Sequence, residues 1–545
     1  MTTQNTGFKK WIPLLVMSLA LTIIILDTTI LNVTLRTIIG DLHTTIQKIQ
    51  WVITAYSLML AAFTITGGRL GDLFGRKKMF AYGAVIFAVG SFITSISHTV
   101  GTMIIGEAII EGIGAALMLP ATASLLRTSY EGRDRQIAFG VWGGIVAAAA
   151  ALGPVIGGWL ATAYSWRWAF RINIFIAAML VIGAWFIKES RDTDEKSDLD
   201  FMGVLLSASG MFFVVFGAIE ASTYGWWKAK EIFTLGSTAL SFGSLSMTPV
   251  FILLGIIILA LFIVWEIAHE REGRTPLVSL KLFKNSPFVV GSTVSAVLAL
   301  GQAGLSFSVP VYFQSVLKLD PVHTGIAMIP MTAVILIAAP LSAWVSKYIS
   351  PKRIIQIGIL FDVLGFIVLR QSLHVGANPW VLAPGFALFG MGMGLMMAQT
   401  SNLTLSAVSA QQAGEASGVT STIRTLGQTL GSAILGAILL TTISSNLAAG
   451  VNSSNVLSSE MKPAISQAVV QQSSNIEFGS GANLGAGTPQ NVTNEIISIS
   501  HEATVKANKA VLTYGIVFIL FALLISVKLP KEKNVETLEQ PAAAH

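Results

Sequence analysis

Long apolar runs, each about the length of one bilayer crossing and parted by polar links, constrain this chain more than any other feature. A hydrocarbon core about 30 Å thick is crossed by roughly 20 apolar residues in an α-helix. Inside lipid the backbone must satisfy its own hydrogen bonds, so repeated runs of that length specify a helical bundle. The runs are 11–35, 50–68, 79–98, 102–125, 137–162, 168–188, 201–219, 249–269, 288–313, 322–346, 353–372, 379–405, 414–442 and 510–528. They predict fourteen transmembrane helices in an all-α integral membrane protein. Composition points the same way: 53% of the 545 residues are hydrophobic and 11% are charged, with mean hydropathy +0.71. A soluble protein carries about 25% charged residues. The chain has no cysteine, which excludes disulfides and thiolate metal sites. Its first run continues past Asp27 without a small-residue cleavage site and is expected to remain as a span.

An even number of spans puts both termini on one side. Roughly two-thirds of the 34 Lys and Arg residues lie on the N-terminal side, and bases are retained in the cytoplasm. Basic links at 127–135, 188–196, 271–284 and 347–353 alternate with base-poor ones at 95–101 and 373–380. Both termini are therefore expected to be cytoplasmic, in a bacterial plasma membrane. The net charge of +6 resides in these links, which speaks for membrane orientation and against nucleic-acid binding.

An internal repeat organises the runs. Gly75-Arg76-Lys77-Lys78 has a degraded copy in Ser350-Pro351-Lys352-Arg353, and Leu152-Gly153 with Gly157 recurs at nearly the same spacing as Leu426-Gly427 with Gly431. A duplicated six-helix unit follows, with the substrate site expected near the midplane between the halves. The expected domains are 1–190 (first bundle), 191–285 (inserted helices 7 and 8), 286–528 (second bundle) and 529–545 (cytoplasmic tail). Residues 220–248 are expected to form an amphipathic turn at the outer interface. Residues 443–509, rich in Ser, Asn, Gly and Gln, are expected to form a long external loop, with helical parts around 456–472 and 494–508 and a flexible stretch at 473–493.

Three acids lie inside spans: Asp27 in helix 1, and Glu107 and Glu111 in helix 4. A charge at a helix centre costs about 2.5–3.5 kcal/mol on insertion scales, so such residues face a cavity and do a job. At about 1.5 Å per residue, Asp27 rising and Glu107 descending reach a similar depth, with Glu111 about one turn lower. Glu107 and Glu111 are four apart and share a helix face. Carboxylates gathered in one low-dielectric cavity cannot all ionise cheaply, which suits proton coupling and the binding of a cation. Asp362 in helix 11 is a further candidate acid. Apolar walls for a substrate are expected from Met391, Met393, Met396 and Met397, with Tyr56, Phe307, Tyr312, Phe313 and Gln314. Pro154 frees a backbone carbonyl and kinks helix 5, where small residues permit close packing. There is no nucleotide loop, metal cluster or nucleophile constellation, so the chain is not expected to be an enzyme or to need a cofactor.

Residues 68–78, with Gly68, Asp72, Gly75 and Arg76 in place, resemble the signature loop between helices 2 and 3 of the major facilitator superfamily. That resemblance implies that Gly68 lets two helices approach closely. It also implies that Asp72 latches onto the start of a helix in the other half, making 68–76 a gate. Leu26-Asp27-Thr28-Thr29-Ile30-Leu31-Asn32-Val33 resembles the helix-1 motif of the fourteen-helix drug:proton antiporter branch. Trp166-Arg167-Trp168 with Phe170 and Asn173, and Tyr312-Phe313-Gln314 leading to Gly325 and Pro330, resemble the same branch. Gly153-Pro154-Val155-Ile156-Gly157-Gly158 is similar to the superfamily's antiporter motif, which implies export. One departure concerns helix 4: Gly112-Ile113-Gly114-Ala115-Ala116 fits the family pattern, but Glu111 stands in place of its glutamine and Ala108 in place of its arginine. Two acids take over that region. Arg171 is a base where the family has an apolar residue, expected either to pair with an acid or to reach the interface. Arg424 is expected to line the cavity or to bind lipid.

These readings lead to a monomeric proton-coupled antiporter that exports amphipathic, cationic compounds, in contact with membrane lipids and driven by the proton gradient. Two alternatives stand beside it. One is an exporter of a specific endogenous lipid, siderophore or antibiotic, and the other a transport-inactive receptor on the same fold.

Overall fold

The computed structural model describes residues 8–44, 46–191, 200–235, 238–240, 242–274, 276–409, 412–459, 462–463 and 490–530. Long helices follow one another along the chain: α1 (Ile12–Asp41), α2 (Ile46–Phe74), α3 (Arg76–Ser95), α4 (Val100–Ser129), α5 (Gly132–Ala163), α6 (Trp166–Ala184) and α7 (Phe201–Tyr224). Then come α8 (Met247–Arg271), α9 (Ser286–Ser315), α10 in two pieces (Pro321–Ala327 and Ile329–Val345), α11 (Pro351–Ser372), α12 (Pro379–Ser406), α13 (Ala413–Ser453) and α14 (Gln490–Ser526). Among the described residues, 12 helices are long and apolar enough to cross a membrane; α5 and α10 stand in the series as the other two. The end of the bundle at which α1 begins is called basal below, and the opposite end apical.

The helices stop where local chemistry dictates. Gly75 separates α2 from α3 with φ of 109°, a conformation that favours glycine, and a Cβ there would also press on the Glu189 carboxylate. Ser165 caps α6 by accepting from the backbone N–H of Arg167 at 3.3 Å, and Asp320 caps α10 through His323 N–H at 2.7 Å.

Two apolar cores hold the bundle. The first gathers α1 to α6 and reaches residues of α8, α9, α12 and α13, among them Phe262, Phe288, Leu405 and Val419. The second is built by α9 to α12 and α14 around Phe313, Phe366, Phe386 and Phe389. Helices α7 and α8 pack on one another through bare backbone, where a Cβ on Gly255 would come within 2.7 Å of the Gly210 carbonyl oxygen.

Two expectations about the links are corrected. The 220–248 segment is not an amphipathic turn: α7 runs on to Tyr224, and a short antiparallel hairpin follows, β1 (Phe233–Leu235) with β2 (Thr238–Leu240). Phe233, Thr234 and Thr238, aromatic or β-branched, suit the two short strands, and the sequence between them, Gly236-Ser237, consists of residue types that favour turns. The 443–509 segment is not all loop, because α13 continues to Ser453 and α14 begins at Gln490. At 41 residues α13 is about 60 Å long, roughly twice a bilayer core. Its projecting end and the residues just after it pack against α14: Val451 and Leu457 meet Val492 and Ile496, and Ser454 donates to Glu495 Oε1 at 2.6 Å. The expected helical part at 456–472 and the flexible part at 473–493 fall mainly outside the described residues, as does the tail from 531.

Candidate transport site and gate

Helix α4 changes character where its two acids lie. Residues Ile104–Glu111 form a π-helical stretch, a wider winding that is uncommon and recurs at functional sites. Glycine allows it to press on α3: a Cβ on Gly90 would come within 2.6 Å of Glu111 N and Gly106 O. Glu107 and Glu111 point into the first core, where Asp27 meets them from α1. The three carboxylates are 1%, 0% and 1% exposed in the order Asp27, Glu111, Glu107, and one oxygen of each lies within 4.8 Å of the others.

Asn173 on α6 is the hub of the group. Its Nδ2 donates to Asp27 Oδ1 at 2.9 Å, to Glu111 Oε1 at 3.2 Å and to Ser91 Oγ at 3.2 Å. Ser91 on α3 donates to Glu111 Oε1 at 2.5 Å. Asp27 and Glu107 lie within hydrogen-bonding reach of each other, and so do Glu107 and Glu111. Two carboxyl groups can share a hydrogen bond only if one holds a proton. Asp27 Oδ2, Glu107 Oε2, Glu111 Oε2 and the Tyr56 hydroxyl have no partner inside the protein. Tyr56 on α2 is close enough to feel the charge of all three acids. Among the described residues no Lys or Arg bonds to any of them. The arrangement therefore concentrates exchangeable protons, or one cation, at a single buried point.

The export-type motif of α5 rests on α1 immediately beyond Asp27. A Cβ on Gly153 would collide with Thr29 Oγ1, and one on Gly157 would lie 2.9 Å from Ile30 Cγ1. Gly158 is buried, and the side chain of Pro154 lies outside the described residues. Shifts of α5 are thus transmitted by contact to the turn that carries the acid.

At the basal end an acid is treated differently. Asp72 Oδ1 accepts from Arg76 Nε at 2.8 Å and Nη2 at 2.6 Å, both residues being 2% exposed. Its Oδ2 accepts from the backbone N–H of Glu415, the third residue of α13, at 2.7 Å. Gly68, one helical turn earlier, meets α13 directly, since a Cβ there would lie 2.5 Å from the Gly414 carbonyl oxygen. The Glu415 carboxylate in turn accepts from Ser279 N–H, which ties in the link before α9. Arg76 also donates to Ser190 Oγ at 2.8 Å. Beside this latch, Arg127 at the end of α4 donates to the carbonyl oxygens of Leu405 and Val408 at 3.2 and 3.3 Å. The basal end is closed between the two halves.

The other candidates scatter. Met397 meets α5, where a Cβ on Gly143 would lie 3.7 Å from Met397 Cγ, and Met393 packs on the second core. Tyr312 is fully buried at the apical end of α9 and donates to His374 O at 2.8 Å, so its hydroxyl is engaged in structure; Gln314, half-buried, lies beside it. Among the described residues neither is hydrogen-bonded to the acids. The side chain of Phe307 lies outside the described residues. Arg171 stacks over Trp168 at 5.3 Å, and Arg167 pairs with Asp41 at 2.5 Å and donates to Ser97 O at 2.9 Å. Arg424 is half-buried in α13. Asp362 is fully buried and accepts from Gln302 Nε2 at 2.7 Å. The residues missed as partners are Ser91 and Asn173, polar side chains within largely apolar helices.

A bundle of long apolar helices, a basal latch built on a Gly-Asp-Gly-Arg loop and a glycine-packed fifth helix define a membrane transporter. The chain belongs to the Major Facilitator Superfamily, whose model matches residues 17–432. It is 28% identical over 412 residues to the tetracenomycin C resistance and export protein of Streptomyces glaucescens, covering 75% of this chain and 72% of that one. It is 27% identical over 425 residues to the multidrug efflux pump LfrA of Mycolicibacterium smegmatis, covering 77% and 79%. The fold is that of the proton:xylose symporter XylE, with a TM-score of 0.58 at 12% identity over 97% of this chain and 99% of that one.

Proposed function

We propose that this chain is a proton-coupled antiporter that exports amphipathic, cationic drugs and toxic compounds. The observation that carries the reading is the meeting of Asp27, Glu107 and Glu111, buried and without a basic partner among the described residues. Three negative charges at one dry point are too costly to persist, so the group holds either protons or a cation. That exclusivity is what exchange requires. Protons entering from outside displace the cation outward, and a cation arriving from inside displaces the protons. Asp27 carries the coupling proton, and Glu107 and Glu111 hold the cation or share the proton. Tyr56, Met393 and Met397 supply apolar or aromatic contact along the path. Gly68, Asp72, Gly75 and Arg76 form the inner gate; Gly153, Pro154, Gly157 and Gly158 seat α5 on α1 within the first half, while Gly140, Gly143 and Gly144 of the same helix meet the second half.

The count of bases supports a cytoplasmic basal end and cytoplasmic termini in a bacterial plasma membrane. No cofactor is needed, since the proton gradient supplies the energy, and the working unit is a monomer in lipid. The similarity to a tetracenomycin exporter supports a second reading, export of one defined natural product. The test is proton-driven uptake of ethidium into everted membrane vesicles. Uptake that collapses when the proton gradient is discharged supports the multidrug reading. Uptake no greater than in vesicles lacking the protein, for ethidium and a panel of other cations, contradicts it and favours the single-product reading.

A further inference from the structure

The first half gathers three buried carboxylates, two of them bonded by the amide of Asn173, and the second buries Asp362 against the amide of Gln302; Asp362 has no place in the reading above. Helix α9 matches α1 and α11 matches α3: the offset that carries Gly75 onto Ser350 also carries Gly83 and Gly90 onto Gly358 and Gly365, and Asp27 onto Gln302. The structure respects that register. Gly83 lies against Gly114 of α4, and Gly358 lies against Gly392 of α12. In the first half the acid is Asp27 on α1, bonded by Asn173 of α6 at 2.9 Å; in the second the position matching Asp27 is the amide Gln302 on α9, which bonds Asp362 on α11 at 2.7 Å.

Asp362 is built into a cradle. A Cβ at Gly392 would press onto Asp362 Oδ1, so bare backbone on α12 is what leaves room for the carboxylate. That same oxygen has no partner within the protein, and the residue is fully buried. The elements packed on it supply no counter-charge. Helices α9 and α12 contain no acidic or basic residue, those of α14 all precede residue 510, and Arg370 on α11 itself donates to Thr513 Oγ1 at 2.9 Å. Asp362 Oδ2 accepts from Gln302, and its Oδ1 is left as the one oxygen with a vacant hydrogen-bonding position that a proton can fill.

We propose that Asp362 is a second proton-carrying site, in the second half, which adds one proton to each transport cycle. This rests on the antiport reading but not on which acid of the first half carries its proton. The step is a simple protonation: Oδ1 gains a proton that originates outside and loses it to the inside, while Gln302 holds Oδ2 throughout. Charge balance makes it measurable. One proton exchanged for a monovalent cation moves no net charge; two protons move one positive charge inward.

The experiment is ethidium transport by purified protein in liposomes, driven either by a pH difference or by a potassium-diffusion potential. The wild type should respond to both. One net charge crossing a potential of roughly 100 mV shifts the accumulation ratio about 50-fold. Asp362→Asn, which keeps the shape and the bond to Gln302, should keep pH-driven transport and lose the response to potential. An unchanged response in Asp362→Asn overturns the proposal. If that variant does not fold, a wild type indifferent to potential still overturns the proposal, and Gln302→Ala, which removes the one amide donor to Asp362, should weaken the response to potential while keeping pH-driven transport. Loss of pH-driven transport in the wild type would instead sink the antiport reading itself.

Discussion

Two buried aspartates, Asp72 at the basal latch and Asp27 at mid-depth, show how context divides the same side chain between structure and chemistry. Asp72 faces the Arg76 guanidinium at 2.6 Å and a helix-start N–H at 2.7 Å. Asp27 faces an amide and two further acids, with one oxygen unpartnered. The first acid has a permanent counter-charge and works as a hinge pin between halves. The second must obtain its counter-charge from outside the protein, as a proton or a cation. Presence of a base, more than depth of burial, separates the two.

The largest break in that comparison is Asp27→Asn. The amide keeps the bond geometry but cannot titrate, so proton-coupled efflux should fall to the level of cells lacking the protein, with expression unchanged on blots. Wild-type efflux would remove Asp27 from the coupling role.

The glutamates sharpen it. With Glu107→Gln and Glu111→Gln together, efflux of a monovalent dye should drop by about tenfold or more, since an unpaired buried charge costs several kcal/mol. Efflux of an uncharged hydrophobic drug should fall much less. Side-by-side assays in one strain decide, and an equal fall for both compounds would assign the pair to coupling alone.

Asp72→Asn should act on rate more than affinity. Removing a charge from a hydrogen-bonded pair costs about 1.5–3 kcal/mol, roughly tenfold to a hundredfold in turnover if the closed latch is needed each cycle. The KM for substrate should change little, because the latch lies at the basal end, away from the acids. The smallest effect belongs to Glu415→Gln. Asp72 is bonded by the backbone N–H of residue 415, which the substitution preserves, so turnover should stay within about twofold of wild type. A tenfold loss there would move the latch from the backbone to the Glu415 side chain.

Much of this was legible in the sequence because membrane helices obey two simple rules, length and depth. The apolar runs locate the helices, and a rise of about 1.5 Å per residue brings Asp27 and Glu107 to one level. The link rich in Ser and Asn hid the projecting ends of α13 and α14, since a polar helix outside lipid loses its hydropathy signal. Asn173 and Ser91 were not singled out as partners because one polar residue in an apolar helix carries no direction until its neighbours are known. For Tyr312 and Gln314 the sequence carries less direction still, since an aromatic or amide near a helix end fits a site and a packing role equally well. The π-helical winding of Ile104–Glu111 left no mark in the sequence beyond its two acids and the glycine at 106.

The central claim is that protons and a cationic substrate compete for the Asp27, Glu107 and Glu111 group. It is tested most directly by proton release on substrate binding, read with a pH indicator on purified protein in weakly buffered solution. Ethidium or another binding cation should release protons from the wild type in proportion to the sites filled. A variant with Asp27→Asn, Glu107→Gln and Glu111→Gln should release no more than the buffer control. Binding without proton release in the wild type, or equal release from the triple variant, would contradict the claim.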